Sequence, residues 1–330
     1  MAIVGHFANL AEAQKLVQSK LLAGVVQEIY EEGQLLQRLP VFTIDSKSIV
    51  YNREKAFSGA DFYDIHEQIP WKADAQFSSQ VEVTLKRMVR QSILDNFIMK
   101  TYKDPNEYRT IIMSGLTKMV LRGLEEKFIY GNSADSPKEF DGLNALCPAV
   151  DGHAFGIHQD YDMGGTTNIT SDVLLALIDQ CKPRPDILLM TRTERNKITK
   201  ATWGKAGAII YASSLDQFGR RVETIDGIPI LVSDFLSDHE VNNTGKKSPT
   251  PTNLSSIYAI RFGQIEEGGL CLCTGGDTGG VDLFKMVDIE ALEDYDAEGI
   301  RLVAYCALAL GSTRAIARIH SINQAADITL

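Results

Sequence analysis

No stretch of this 330-residue chain approaches the roughly 20 consecutive apolar residues that a membrane-spanning helix needs. The least polar run, residues 302–310, is about half that length and reads as a buried strand. Residues 1–6 hold no basic region leading into a long apolar run, so no secretory signal is expected. Positive charge is in deficit, with 33 Lys and Arg against 43 Asp and Glu and a formal charge of −10. That balance argues against tight, sequence-independent DNA binding, which rests on neutralising phosphates. It leaves open a protein that merely encloses DNA. Cysteine is scarce, scattered and odd in number (Cys147, Cys181, Cys271, Cys273, Cys306), which reads as reduced, buried thiols rather than a disulfide framework. Internal repeats and low-complexity tracts are absent.

The signatures of common active sites are missing too. The glycine-rich run at 275–280 lacks a Gly-Lys-Ser/Thr ending and precedes a strand, so it reads as a hairpin tip. The strand-to-helix step Thr191-Arg192-Thr193 has no glycine to let a pyrophosphate approach the backbone. No Gly-x-Ser-x-Gly elbow occurs. The acidic run at 294–299 resembles the opening of a calcium loop, but Tyr305 stands where a bidentate acid is required and Leu302 at the ninth position. A solvated turn is the reading. His153, His158, Asp160 and Asp162 offer imidazole and carboxylate suited to zinc or manganese, without further ligands at helical spacing, and read as a polar surface loop. Cys271 and Cys273, two apart on a strand with no second pair, read as small core residues. No catalytic, cofactor-binding or metal residue is assigned. An enzyme of mixed α/β class is a third hypothesis that nothing in the chain favours.

What is present is apolar content of 44%, enough for two modest cores. An amphipathic helix is expected over 107–130, with Tyr108, Ile112, Gly115, Leu116, Met119, Gly123 and Leu124 gathered on one face. At 1.5 Å per residue it would span roughly 35 Å, a spine on which other elements are laid. Pro105 and Gly131 bracket it as start and stop signals. Upstream, residues 9–37 carry a helical stripe of Val17, Leu21, Val25 and Ile29. Residues 41–44 and 49–51 read as extended, paired with the alternating segment 80–85. Between them, 52–79 is irregular, charged and aromatic, too rich in aromatics for disorder and too long for an idle loop. A two-stranded arm of this kind is not stable alone and calls for a partner surface. Further along, a second helical piece is expected over 93–102, a helix capped by Thr170, Ser171 and Asp172, a strand at 187–190, a helix over 193–203, an Asp226-Gly227 hairpin turn, and an exposed loop over 242–253.

The spine, its exit through Phe128-Ile129-Tyr130-Gly131-Asn132 to Phe140-Asp141-Gly142-Leu143, the upstream arm and hairpin, and the closing Ser312-Thr313-Arg314-Ala315-Ile316-Ala317-Arg318-Ile319-His320-Ser321-Ile322 together resemble the major capsid proteins of tailed bacteriophages. Their shell fold, of the HK-ninety-seven type, is shared with encapsulin compartments. The resemblance implies an α+β chain in five parts: an N-terminal helical arm (1–39), an extended β-hairpin loop (40–86), a peripheral domain with the spine helix (87–150), an inserted axial domain (151–283) and a return to the peripheral domain (284–330).

Its functional implication is a non-enzymatic virion protein, assembled in the host cytoplasm from pentamers and hexamers into an icosahedral shell. The shell would enclose double-stranded DNA without reading its sequence and without a membrane. Partners implied are further copies of itself, a scaffolding protein, a portal protein and, as an option, a decoration protein. DNA packaging would expand an immature procapsid, moving arm, loop and spine. Because Met1 leads directly into the arm, a separate scaffold is expected rather than a cleaved precursor. The alternative is an encapsulin-type nanocompartment around cargo enzymes.

Candidate subunit contacts are Arg53, Glu54, Lys55, Trp71 and Lys72, with Arg53 and Trp71 foremost because interfaces favour aromatic and Arg anchors. Packing of Trp71 on its own chain stays open. Some shells of this type crosslink a loop lysine to a neighbour's asparagine; Lys47, Lys55 and Lys72 lie in or beside the matching loop and read as solvated charges.

Overall fold

The computed structural model describes residues 35–54, 61–69, 71, 77–101, 105–150, 155, 158–203, 211–215, 221–275, 284–290, 292, 295–326 and 328. The helix expected within 9–37 lies outside them, save for its last residues. There Leu35 is fully buried, and the Leu36 amide donates to Glu125 Oε1 at 3.0 Å.

The chain runs β1 (Val41–Ile44), β2 (Ser48–Glu54), β3 (Phe77–Thr84), β4 (Lys86–Asp95), α1 (Asn96–Thr101), α2 (Pro105–Tyr130), α3 (Leu143–Leu146) and β5 (Asp160–Asp162). It continues through α4 (Ser171–Gln180), β6 (Ile187–Met190), α5 (Arg192–Trp203), β7 (Tyr211–Leu215), β8 (Arg221–Ile225), β9 (Ile228–Val232) and β10 (Leu254–Ile260). It closes with β11 (Leu270–Gly275), β12 (Phe284–Ile289), β13 (Ala297–Leu310) and β14 (Ile316–Asn323). Among the described residues these strands form a five-stranded sheet, a seven-stranded sheet and the β2–β3 ribbon.

The spine helix α2 comes out as the spacing requires, with Pro105 as its first residue and Gly131 just beyond its end. Its buried stripe is Leu116, Val120, Leu124 and Phe128, stepping by four. Met119, expected on that face, is exposed, because a stripe of strict fours drifts around a 3.6-residue helix and carries Val120 inward instead. Leu116 packs with Leu94 of β4 and Ile300 of β13, which lays the spine across the five-stranded sheet. Strand β13 organises that sheet. It pairs with β4 and β12 over a shared stretch, hence on opposite edges, and with β11 at its far end.

The seven-stranded sheet runs β5-β14-β10-β6-β9-β8-β7, and its central strands β14, β10 and β6 are buried on both faces. Leu189, Tyr258 and Ile260 face the core shared with the spine, while Leu188, Met190, Ile257 and Ala259 face a second core under α4 and α5. This period-two division leaves β10 without an exposed residue. Helix α4 starts as expected, with Thr170 Oγ1 accepting from the Val173 amide at 3.4 Å. The Asp226-Gly227 turn takes positive φ at both residues, 50° and 77°, the geometry of a tight hairpin.

Several expectations are corrected. Residues 93–95 end strand β4 rather than begin a helix, since a short apolar run serves either role. Strand β1 pairs parallel with β11 rather than joining the hairpin, which begins at β2. Both larger sheets draw strands from either side of position 283. Strand β11 joins β13 in the five-stranded sheet, whereas β14 lies in the seven-stranded sheet beside β10 and β5. Strand partners are set by non-local pairing that chain order does not encode.

Candidate subunit interface

The β2–β3 ribbon is held to the body by residues from the middle to the outer end of β2. Tyr51 Oη donates to the Leu310 carbonyl at 2.6 Å; Arg53 Nη2 donates to the same carbonyl at 2.9 Å and Nε to that of Gly311 at 3.2 Å. Burial raises the Tyr51 phenol above its ordinary value against the opposing pull of Arg53, so it stays a neutral donor. Beneath the ribbon lies a cleft of about 170 Å³ lined by Tyr51, Arg53, Val83, Lys86, Phe140 and Leu308. Arg53, expected to anchor a neighbouring subunit, thus bonds its own chain just before the chain leaves β2.

Farther out the chain changes character. Residues 61–69 and Trp71 are all exposed. Phe62 and Trp71 are fully so, and Ile65 and Ile69 are 84% and 64% exposed. Trp71 therefore does not pack on the described residues of its own chain. The segment still has local order: Asp64 and Glu67 bond each other's main chain, the Asp64 amide to Glu67 Oε2 at 2.8 Å and the Glu67 amide to the Asp64 carbonyl at 3.1 Å. Burying each of these large apolar side chains would be worth roughly 1.5–3 kcal/mol. Of the remaining candidates, Glu54 ends β2, while Lys55 and Lys72 lie outside the described residues. Lys47 is exposed at the ribbon's base.

A second constellation was not legible in the sequence. Glu240, fully buried in the loop between β9 and β10, accepts from Tyr130 Oη at 2.7 Å through Oε1 and from Ser256 Oγ through Oε2. Tyr130 is the last residue of the spine, and its hydroxyl also accepts the Ser237 amide at 2.8 Å. Burial pushes the Glu240 carboxyl up to about 7. Glu194, likewise fully buried, accepts from Ser255 Oγ at 3.4 Å and is pushed up to about 7 by burial. Because Ser255 and Ser256 are adjacent on β10, the two carboxyls occupy opposite faces of one strand.

The acidic pair placed in a surface loop by sequence is in fact strand β5. Asp160 is buried against β14, its Oδ2 3.6 Å from His320 Nε2, while Asp162 Oδ1 lies 3.7 Å from His320 Nδ1. Burial, reinforced by Arg318, lowers the His320 pKa. Arg318 is fully buried too. Among the described residues no group of three or more His, Cys, Asp and Glu is arranged to hold a metal, and no helix is long and apolar enough to cross a membrane.

No protein-family model matches the chain, and no curated protein matches it in sequence. Solved structures match over nearly its whole length. The SrpI encapsulin of Synechococcus elongatus, in a holo complex, superposes with a TM-score of 0.68 at 16% identity over 97% of this chain and 98% of its own. The capsid of the native GTA particle gives 0.63 at 14% identity, over 95% and 98%. A structure of Mycobacterium phage Bobi gives 0.58 at 12% identity, again over 95% and 98%. The chain therefore has the α+β shell fold of the HK-ninety-seven type, the fold common to phage capsids and an encapsulin.

Proposed function

We propose that the chain is a structural shell subunit: the major capsid protein of a tailed phage, assembling as pentamers and hexamers into an icosahedral shell around double-stranded DNA. The observation that carries this reading is the exposed apolar segment with Phe62, Ile65, Ile69 and Trp71, presented on a fold that other chains use to build containers. Head-to-tail contacts between identical copies close into rings by rotation. An apolar segment that the described residues leave uncovered fits a contact of that kind. The formal charge of −10 suits a container that does not grip its contents. A scaffolding protein, a portal and a decoration protein would act with it, in the host cytoplasm and then the virion. Glu54, Lys55 and Lys72 are the further contact candidates.

The second reading is an encapsulin-type compartment around cargo enzymes, and it is favoured by the encapsulin superposition at a TM-score of 0.68. The test is electron microscopy of the purified chain, with and without a co-expressed scaffold, followed by assay of the contents. Closed shells or rings of five and six support both readings. Nuclease-protected DNA after co-expression with a packaging motor selects the first, and co-purifying enzyme selects the second. A chain that stays monomeric even with the scaffold refutes both.

A further inference from the structure

The loop between β9 and β10, residues 233–253, crosses from the spine to the seven-stranded sheet and is fastened on both sides. Toward the spine, Lys247 Nζ reaches Glu126 at 2.6 Å, Lys246 Nζ meets Asp135 at 2.5 Å, and Asn144 Nδ2 donates to the Gly245 carbonyl at 2.6 Å. Toward the sheet, the Glu240 amide donates to the Leu254 carbonyl at 2.9 Å, and Asp238 accepts from Gln324 Nε2 at 2.5 Å. The exposed ion pairs are individually weak and screened by salt. Water does not reach the Glu240 side chain, where one carboxyl takes a hydrogen bond from the last residue of α2 and another from β10. A buried, shared carboxyl is a high-stakes link, because any change in its charge acts on three elements together.

We propose that Glu240 is a proton-operated joint between the spine helix and the seven-stranded sheet, closed while its carboxyl is neutral and loosened when it releases its proton to solvent. The groups that face it come from every element around it. They are Tyr130 on α2, Ser256 and Tyr258 on β10, Arg318 on β14 and Asp238 on its own loop. Behind Arg318 stand Cys147, His320 and Asp160. Arg318 and the two hydroxyl donors favour the anion, Asp238 opposes it, and burial outweighs them all. Ionisation therefore falls near neutral pH. The anion then has two donors where water would supply more, and it gains by admitting water into the seam. In a shell, every copy would share the spine-to-sheet angle this joint sets. That consequence rests on the shell reading above, whereas the joint itself does not.

The test is amide hydrogen exchange on the full, unassembled chain at about pH 5.5 and about pH 8.5, corrected for the intrinsic pH dependence of exchange. Amides of Phe128, Ile129, Tyr130 and Val241 are expected to lose protection at least about tenfold between those values. In Glu240→Gln, neutral at every pH, that step disappears. In Glu194→Gln, which alters the carboxyl on the opposite face of β10, it persists. Tyr130→Phe removes a donor that favours the anion and moves the midpoint upward by roughly half a pH unit to one. If Glu240→Gln does not fold, Tyr130→Phe decides. The proposal is overturned by a wild type with no step, by a step that survives in Glu240→Gln, or by an unmoved midpoint in Tyr130→Phe. Failure to assemble with the step intact counts against the shell reading alone.

Discussion

Gly131 and Gly142 lie back to back, the Gly142 amide donating to the Gly131 carbonyl at 2.9 Å. A Cβ on Gly131 would fall 2.5 Å from the carbonyl oxygens of Lys127 and Phe140, and one on Gly142 would fall 2.6 Å from that of Lys127. Backbone cannot retreat as a side chain can. The motif through which the spine hands the chain onward is thus a contact that admits no side chain at either position.

Gly131→Ala and Gly142→Ala should each destabilise the chain by about 1–3 kcal/mol or more, as overpacking does. Gly115, in the middle of the same helix, has open space around its missing Cβ, and Gly115→Ala should stabilise by roughly 0.5–1 kcal/mol. Denaturant unfolding of the three variants checks both signs.

Removing the clamp beneath the ribbon should act locally. Arg53→Ala deletes two charge-assisted bonds to Leu310 and Gly311, and Tyr51→Phe deletes one to Leu310. Amides of the β2–β3 ribbon should exchange roughly tenfold faster, while those of β10 and β14 keep their protection, since about 1–3 kcal/mol is lost only at the ribbon. Uniform acceleration across the sheets would rule out a local clamp.

At the ribbon tip the expectation reverses. Phe62→Ser and Trp71→Ser remove surface that the described residues leave uncovered, so unfolding of the unassembled protein should change by no more than about 0.5 kcal/mol. Shell or ring formation should fall sharply, as read by light scattering. Normal assembly of the double variant would show that the tip is not an interface.

The pH dependence of stability follows from two carboxyls and one imidazole. Glu194 and Glu240 are held at about 7 in the fold against 4.5 ordinarily, so their contribution is fully present below about pH 4.5 and is lost as pH rises through 7. Each is worth about 3 kcal/mol at most. His320, lowered by burial, acts oppositely: its contribution is lost as pH falls below its ordinary 6.5. Chemical unfolding across this range should give a slope for the wild type that flattens at the alkaline end in the variant carrying both Glu194→Gln and Glu240→Gln.

Local signals were the readable ones. The spine's span, the Thr170 cap and the Asp226-Gly227 turn are written within a few residues of where they act. Pairing of β1 with β11, separated by more than two hundred residues, has no local trace. The buried polar seam was missed for a different reason. Glu240 sits in a segment of turn formers and charges that looks like surface, and its burial depends on elements distant in sequence. One cue existed in β14, where Arg318 and His320 interrupt an otherwise apolar strand. A strand buried on both faces has no exposed side for such residues, so they must point into the protein.

All five cysteines are free and shielded from solvent, and burial pushes the thiols of Cys147, Cys181 and Cys306 up to about 12. A thiol-reactive dye has no path to any of them until the surrounding structure parts. Cys271 and Cys273 lie near Tyr51 in the middle of β2, and Cys147 lies near Arg318. The unaltered polypeptide thus carries its own chemical clocks, one set timing the lifting of the ribbon and another the breathing of the sheet, with no engineered label to disturb either motion.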